Sequence, residues 1–512
     1  MTAPNCALTA LAHWATVKPE AVAVHHHAGR LSYADLSALV MAASRALAGT
    51  GDRLALLLDN GAGWIVADLA ARQVSAVIVP VPGYFTDAQL RHVIDTAGID
   101  LIVTDQPERV EQALADCLPG RLGRLAAGEV LDSIELVALD GISRHAAPKL
   151  PGKTRKVTFT SGTTGMAKGV CLSDDLIDNV ARSLAKASGG TAADRHLQLL
   201  PLAALLENIA GIDVPLLLGA EICSLPLQSV GLGGSSSLDM SILVAALDRH
   251  RPTSIVTVPQ SLNALVHAAR TAKWRPSYLR HVAVGGATLP RGAIAAARAL
   301  GLPVFEGYGL SECGSVVALN TLEADHPGSV GKPLPHCRVS LAADGEVLVW
   351  GAGCEGFLCA DTMAPMDDPM PTGDIGRLDE DGFLYLLGRK KNIFITSFGR
   401  NVEAEWIECE LSATPSISQA AVFGEARPWN VAVVVPRTKA KDWQATVSGD
   451  IARVNEGLPD YARIRRWLTA DRPFLPDDGL LTWNGRLRRP EIFAVYSDRI
   501  ERLYDEEERH VS

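Results

Sequence analysis

A chain of 512 residues is too long for one small module, since a single hydrophobic core stops growing at roughly 250–300 residues. Hydrophobic residues make up 47% and charged ones 21%, with 45 Gly and 29 Pro spread along the chain, which excludes a disordered or collagen-like polypeptide. The 48 Lys and Arg against 58 Asp and Glu leave a net charge of −10, and a field of that sign disfavours nonspecific binding to nucleic acid or to an anionic bilayer.

Taken in order, residues 1 to about 150 alternate helical and strand-like patterns. Met1 to Asn5 shows neither the basic segment nor the apolar run of a secretory leader. His25, His26 and His27 sit between the strand-like Val22 to Val24 and Gly29-Arg30, which predicts a hairpin loop. Neighbouring imidazoles on a strand point to opposite faces, which argues against a shared metal ion. Tyr33 to Ala43 is amphipathic, Leu54 to Leu58 and Ala76 to Pro80 read as buried strands, and Trp64 to Arg72 reads as a helix. Strands separated by helices of this length predict βαβ units and a largely parallel sheet.

The greasiest stretch, Leu197 to Leu218, is broken by Glu207, Asn208 and Asp213, so no run reaches the ~18–20 apolar residues of a membrane span. Further strands ending in Gly or Pro are expected at Gly219 to Leu225, Ser254 to Pro259, Leu279 to Gly286 and Leu302 to Gly307. Ligands gather where such strands end. Gly231 to Ser237 reads most simply as a flexible surface loop. From Arg338 the texture changes to closely spaced short strands (Val339 to Leu341, Gly345 to Trp350, Gly356 to Cys359), a β subdomain. After Gly388-Arg389-Lys390-Lys391, strand and helix alternate again. The expected fold is therefore α/β. A large N-terminal domain, residues 1–388, combines parallel-sheet α/β subdomains with a small β subdomain, and a small α+β domain, residues 389–512, follows. Nine cysteines without a CxxC pair fit a reducing, cytoplasmic compartment better than a disulfide framework.

Chemistry concentrates in Thr160-Ser161-Gly162-Thr163-Thr164-Gly165, followed by Lys168 and Gly169. Glycines let backbone approach a polyphosphate, amide N–H groups and hydroxyls donate to its oxygens, and Lys168 offsets its charge. The segment is not a Walker A loop, and its plainer reading is a Ser/Thr/Gly surface turn. Further along stand Gly285-Gly286-Ala287, Glu306-Gly307-Tyr308-Gly309-Leu310-Ser311-Glu312, Thr372-Gly373-Asp374 and Gly388-Arg389-Lys390-Lys391.

These segments, in this order and approximate spacing, resemble the adenylate-forming superfamily: acyl-CoA synthetases, luciferase-like enzymes and the adenylation domains of peptide synthetases. The resemblance covers essentially the whole chain and is weakest over the first 150 residues. It implies that residues 160–169 are a phosphate loop, with Ala167 in place of a usual proline, and that Thr164 and Lys168 assist the chemistry. Tyr308 would stack on adenine opposite the Gly285-Gly286-Ala287 strand end, with Gly307 and Gly309 flanking it. Glu312 would help to hold Mg²⁺, Asp374 would accept both ribose hydroxyls, and Arg389 would assist at ribose or phosphate. The plainer alternatives are a structural tyrosine and a solvated acid.

Lys391 would be the hinge about which the C-terminal domain turns between adenylation and thioester formation, unless Lys390-Lys391 is only a solvated charge pair. The loop Ile395 to Glu403 resembles the one that meets a pantetheine arm, with Phe398 in place of a frequent glycine.

The largest departure is Thr482-Trp483-Asn484-Gly485-Arg486-Leu487-Arg488-Arg489. The family pattern is Thr-x-x-Gly-Lys-x-x-Arg, and its lysine bridges carboxylate, ribose and α-phosphate. Arg486 stands in that place. It keeps the charge but is planar, longer and forked, so slower or retuned adenylation is expected rather than none. The alternative is a basic surface residue beside Arg488 and Arg489.

Between Leu199 and Gly211, where the family often has Pro-Leu-x-His and amino-acid-activating members place an Asp, this chain has neither. Apolar lining suits an alkyl or aryl acid, at ~0.8 kcal/mol per buried CH₂. The counter-reading makes these leucines plain core and Glu207 a helix-end charge. The leading expectation is an ATP- and Mg²⁺-dependent enzyme that converts a hydrophobic (fatty or aryl) carboxylic acid to acyl-AMP and passes the acyl group to CoA. An acyl carrier protein's phosphopantetheine is the alternative acceptor, and a nucleotide-binding relative that has lost catalysis is the third possibility.

Overall fold

The computed structural model describes residues 5–115, 119–125, 134–139, 149–160, 168–233, 237–287, 289–290, 292–358, 369–482 and 485–511. Two large sheets dominate it. One has eight strands in the order Gly356–Leu358, Lys168–Ser173, Thr154–Thr160, Val77–Pro80, Arg53–Leu57, Leu101–Thr104, Glu135–Leu139, Pro119–Arg124. The other has nine, running from Lys332–Pro333 and Ala318–Leu319 through Val304–Tyr308, His281–Val284, Ser254–Thr257, Arg195–Leu197 and Glu221–Cys223 to the hairpin Val22–His26 with Gly29–Ser32. The centres of both sheets are parallel, as the alternating patterns imply.

Their edges differ from the sequence reading. The three histidines lie at a hairpin, as expected, but that hairpin makes one edge antiparallel, and Glu135–Leu139 pairs antiparallel with Leu101–Thr104. The segment Gly356–Leu358, expected in the β subdomain, pairs with Lys168–Ser173 instead, because its alternating Gly356 and Leu358 bury against the large sheet. What remains of the β subdomain is a four-stranded antiparallel sheet of Arg338–Leu341, Glu346–Trp350, Met370–Leu378 and Leu384–Arg389. Within the Gly-Ser stretch Leu232–Gly233 pairs with Ser237–Leu238, while residues 234–236 lie outside the described residues.

Helix Ala62–Gln73 shows how the two sheets come together. Every residue from Ala62 to Arg72 is buried, and the helix packs with Leu54, Ile78 and Leu101 of one sheet and Val24 and Ile222 of the other. A helix that is apolar all round belongs between layers, and its two charged residues must then find partners. Asp68 pairs with Arg72 one turn on (2.5 Å) and with Lys156 of the Thr154–Thr160 strand (3.0 Å), and Arg72 pairs with Asp213 (2.6 Å). Asn208 also accepts from Lys156. Burial alone would raise the Asp68 carboxyl, but Arg72 and Lys156 hold it below its usual range. Asp213 is pushed up by burial against the pull of Arg72 and Lys156.

Beyond Arg389 the chain forms a small unit around a three-stranded sheet of Ile417–Phe423, Asn430–Pro436 and Ile464–Thr469, covered by helices Ala404–Ser412, Trp443–Glu456 and Arg489–Val511. Among the described residues no helix is long and apolar enough to cross a membrane.

Candidate active site

A cleft of about 2940 Å³ opens between the large sheets, the four-stranded sheet and the C-terminal unit. Single ligand pockets run to roughly 300–1,000 Å³, so this cleft has room for a nucleotide and a second substrate together. Most of the residues marked by the sequence line it: Thr160, Lys168, Gly285, Gly286, Ala287, Gly307, Tyr308, Gly309, Glu312, Arg389 and Arg486. Ser161, Gly162, Thr163, Thr164 and Gly165 lie outside the described residues, as does the side chain of Lys391. Thr160 ends one strand and Lys168 begins its antiparallel partner, the two facing each other in register at the cleft.

Gly309 is small because backbone crosses there: a Cβ would collide with the Ser315 carbonyl. Gly286 has φ +88, a left-handed conformation that favours glycine. Its carbonyl faces the cleft mouth and accepts from Arg486 Nη2 at 3.0 Å.

Asp374 and Arg389 are cross-strand partners in the four-stranded sheet, with Arg389 Nε 2.7 Å from Asp374 Oδ1. The Tyr308 hydroxyl donates to Asp374 Oδ2 at 2.6 Å. The tyrosine therefore has a polar anchor as well as a flat face. A carboxylate has about four lone-pair sites, so two protein donors leave acceptor capacity for two hydroxyls. Burial pushes Asp374 up, opposed by Arg389, the Tyr308 hydroxyl and Arg486. Burial also raises Tyr308, with the Asp374 charge adding to it. Glu312 sits in a short 3₁₀ turn, Ser311–Cys313, with no hydrogen-bond or ion-pair partner for its carboxyl among the described residues. One open carboxylate suits Mg²⁺, which normally takes one or two carboxylates together with substrate phosphates.

Arg486 reaches the cleft from a tight hairpin in the C-terminal unit. Thr482 N donates to Arg486 O (2.7 Å), Arg486 N donates to Thr482 Oγ1 (3.0 Å), and Leu481 bridges Leu487. Three residues on, Arg489 is no mere basic neighbour. Its Nε donates to Glu408 Oε1 at 2.8 Å, and the same oxygen accepts from Val422 N at 2.8 Å, tying the hairpin to helix Ala404–Ser412. The signal for that role was its place at the last position of the Thr-x-x-Gly-x-x-x-Arg pattern. Glu207, offered as a helix-end charge, is wholly buried and pairs with His196 at 2.9 Å. The leucine-rich stretch divides: Leu199 and Leu202 are core, whereas Leu200, Leu206 and Ala210 line the cleft.

Two α/β sheets enclosing a nucleotide-sized cleft, met by a basic hairpin from a small C-terminal unit, define an adenylate-forming enzyme. The chain belongs to the AMP-binding enzyme family: that family's model matches residues 11–366, and the model of the AMP-binding enzyme C-terminal domain matches residues 391–508. The chain is 28% identical to the long-chain-fatty-acid–CoA ligase FadD15 of Mycobacterium bovis, over 89% of this chain and 88% of that protein. Identity is 29% to a feruloyl-CoA synthase of Amycolatopsis sp, over 82% and 87%. In fold it is similar to o-succinylbenzoate CoA synthetase of Bacillus subtilis in complex with its acyl-adenylate intermediate (TM-score 0.74, 23% identity, 96% of this chain and 98% of that one). It is also similar to the anthranilate CoA ligase AuaEII in complex with anthranoyl-AMP (TM-score 0.76, 17% identity, 96% of each).

Proposed function

We propose that the enzyme activates a hydrophobic carboxylic acid, fatty or aryl, with ATP and transfers the acyl group to the thiol of CoA. The observation that carries this reading is Arg486, brought by the C-terminal unit to the Gly286 carbonyl and close enough to Asp374 to act on its charge. In the first step a carboxylate oxygen bonds to the α-phosphorus and the bond to pyrophosphate breaks. In the second a thiolate bonds to the acyl carbon and AMP leaves. Arg486 and Lys168 oppose the negative charge that grows on the phosphate oxygens in the first step. Asp374 takes the ribose hydroxyls while Arg389 and Tyr308 fix its orientation, and Tyr308 with the Gly285-Gly286-Ala287 strand end brackets adenine. Residues 160–165 cradle the phosphates. Glu312 would hold Mg²⁺, which supplies charge neutralisation at the phosphates.

Leu206 and Ala210 supply the apolar wall for the acid. The C-terminal unit, residues 389–512, turns at Lys391 for the second step, a reading supported by the gap between the two family matches at residues 366 and 391. A cytoplasmic home is part of the proposal, supported by the seven described cysteines being free thiols.

The test is exchange of radiolabelled pyrophosphate into ATP over a panel of carboxylic acids, followed by addition of CoA or an acyl carrier protein. Acid-dependent exchange and acyl-CoA formation are expected. Exchange with no acid would refute the reading and favour a relative that binds nucleotide without catalysis, and transfer to the carrier protein alone would refute CoA as acceptor.

A further inference from the structure

Along the nine-stranded sheet the cleft continues away from the glycines. Strand pairing sets His196 opposite Ser254, Ser254 opposite His281, and Val256 opposite Ala283. Side chains two residues apart on a strand share a face, so one face carries His281 then Ala283, and Ser254 then Val256. All four line the cleft. Leu206, Ala210 and Val214 also line it. The path is therefore small and apolar in its middle and polar at the end far from Gly285.

That polar end is a built cluster. His196 lies 2.9 Å from Glu207 Oε1 through Nε2 and 3.0 Å from Ser254 Oγ through Nδ1, and Glu207 Oε2 accepts from Leu200 N at 2.9 Å. His281 is 6% exposed, stacks on Phe305 with centroids 5.0 Å apart, and has no partner for Nε2 among the described residues. Burial lowers the His281 ring to about 4, so near neutrality it is uncharged, with one nitrogen donating and the other accepting. A buried ring nitrogen without a partner is unfavourable until something fills it. Past the cluster, Arg280 is held in a fork by Asp194 (Nε to Oδ1 3.1 Å, Nη2 to Oδ2 3.0 Å), so its charge is already matched.

We infer that His281 and Ser254 receive an uncharged hydrogen-bonding group, a hydroxyl or keto oxygen, at the far end of the carboxylic acid substrate. The inference rests on the ligase reading above and narrows it. A plain alkyl end would leave His281 Nε2 without a partner. A second carboxylate would meet the acidic Glu207 and Asp194, and the neighbouring Arg280 is already matched by Asp194. Four residues separate His281 from Gly285, ~13 Å at ~3.3 Å per strand residue, which an extended chain of roughly ten bonds spans.

Pyrophosphate exchange on the full chain decides it, with decanoic, ω-hydroxydecanoic and decanedioic acids compared by kcat/KM. The hydroxy acid is expected to exceed decanoic acid about fivefold to tenfold, the gain of one net hydrogen bond, and decanedioic acid to fall below both. His281→Leu and, as the milder change, Ser254→Ala should each bring the ratio of hydroxy to plain acid to one or less. The ratio is taken within one protein, so a general loss of activity cancels. Decanoic acid equal to or better than the hydroxy acid in the unsubstituted enzyme overturns the inference and leaves the ligase reading standing, as does a ratio unmoved by both substitutions. Exchange with none of these or any other acid overturns both.

Discussion

Lys156, Asp68, Arg72 and Asp213 are all at least nine-tenths buried between the sheets, and their formal charges cancel. Lys156→Met removes one cation and leaves a net charge of −1 in that place, and losing one partner of a buried pair costs ~3–5 kcal/mol. Adding Asp68→Asn removes the matching anion and leaves Arg72 with Asp213 at 2.6 Å. The double variant should therefore be at least ~2 kcal/mol more stable than the sum of the single costs implies. Amide hydrogen exchange read by mass spectrometry on peptides covering Ala62–Gln73 and Thr154–Thr160 gives the local opening free energy. At ~1.4 kcal/mol per tenfold, Lys156→Met should speed exchange there by roughly two to four orders of magnitude. If that variant changes exchange less than fivefold, or if the single costs simply add, the four charges do not act as one unit.

Arg486→Ala should slow single-turnover formation of acyl-AMP by roughly 10²–10³, the usual effect of losing one group that stabilises transition-state charge; an unchanged rate would defeat the role. Glu306 is raised to about 7 by burial. The folded state therefore holds a proton there that the unfolded chain releases near pH 4.5, and the associated stability is present at pH 4 and lost as pH rises through 7. Glu306→Gln, uncharged throughout, should gain in melting temperature relative to the unsubstituted protein between pH 5 and pH 8. A gap that is the same at both pH values would contradict the assignment.

Local signals made the end of the cleft around Gly285 and Tyr308 legible. The Gly285-Gly286-Ala287 strand end, Tyr308 between two glycines and Thr372-Gly373-Asp374 within a strand are each short-range in sequence, and the fold sets Tyr308 against Asp374. The central strands could be read for the same reason, since runs such as Leu54 to Leu58 and Ala76 to Pro80 are apolar without interruption. Edge pairing was not legible: whether Gly356–Leu358 joins one sheet or another depends on which neighbour has an open edge. The charged cluster was hidden because its members stand far apart in the chain and each, alone, looks like a surface residue. Glu207 and His196 were hidden for a related reason, since a carboxyl in an apolar run has no sequence sign of the imidazole that satisfies it.

The pairing of Thr160 with Lys168 has a consequence for salt. Where a phosphate loop runs directly into a helix, backbone dipoles at the helix N-terminus supply part of the positive potential, and they move with nothing. Here the next helix among the described residues, Asp174–Ala187, follows the Lys168–Ser173 strand and carries two aspartates in its first turn. In the reading proposed above, counter-charge for a triphosphate would come from Lys168 and Arg486, with the Mg²⁺ that Glu312 would hold, and Arg486 stands on a separate unit. Nucleotide affinity in this enzyme should therefore fall steeply with ionic strength, and the position of the C-terminal unit should itself depend on the charge of what occupies the cleft.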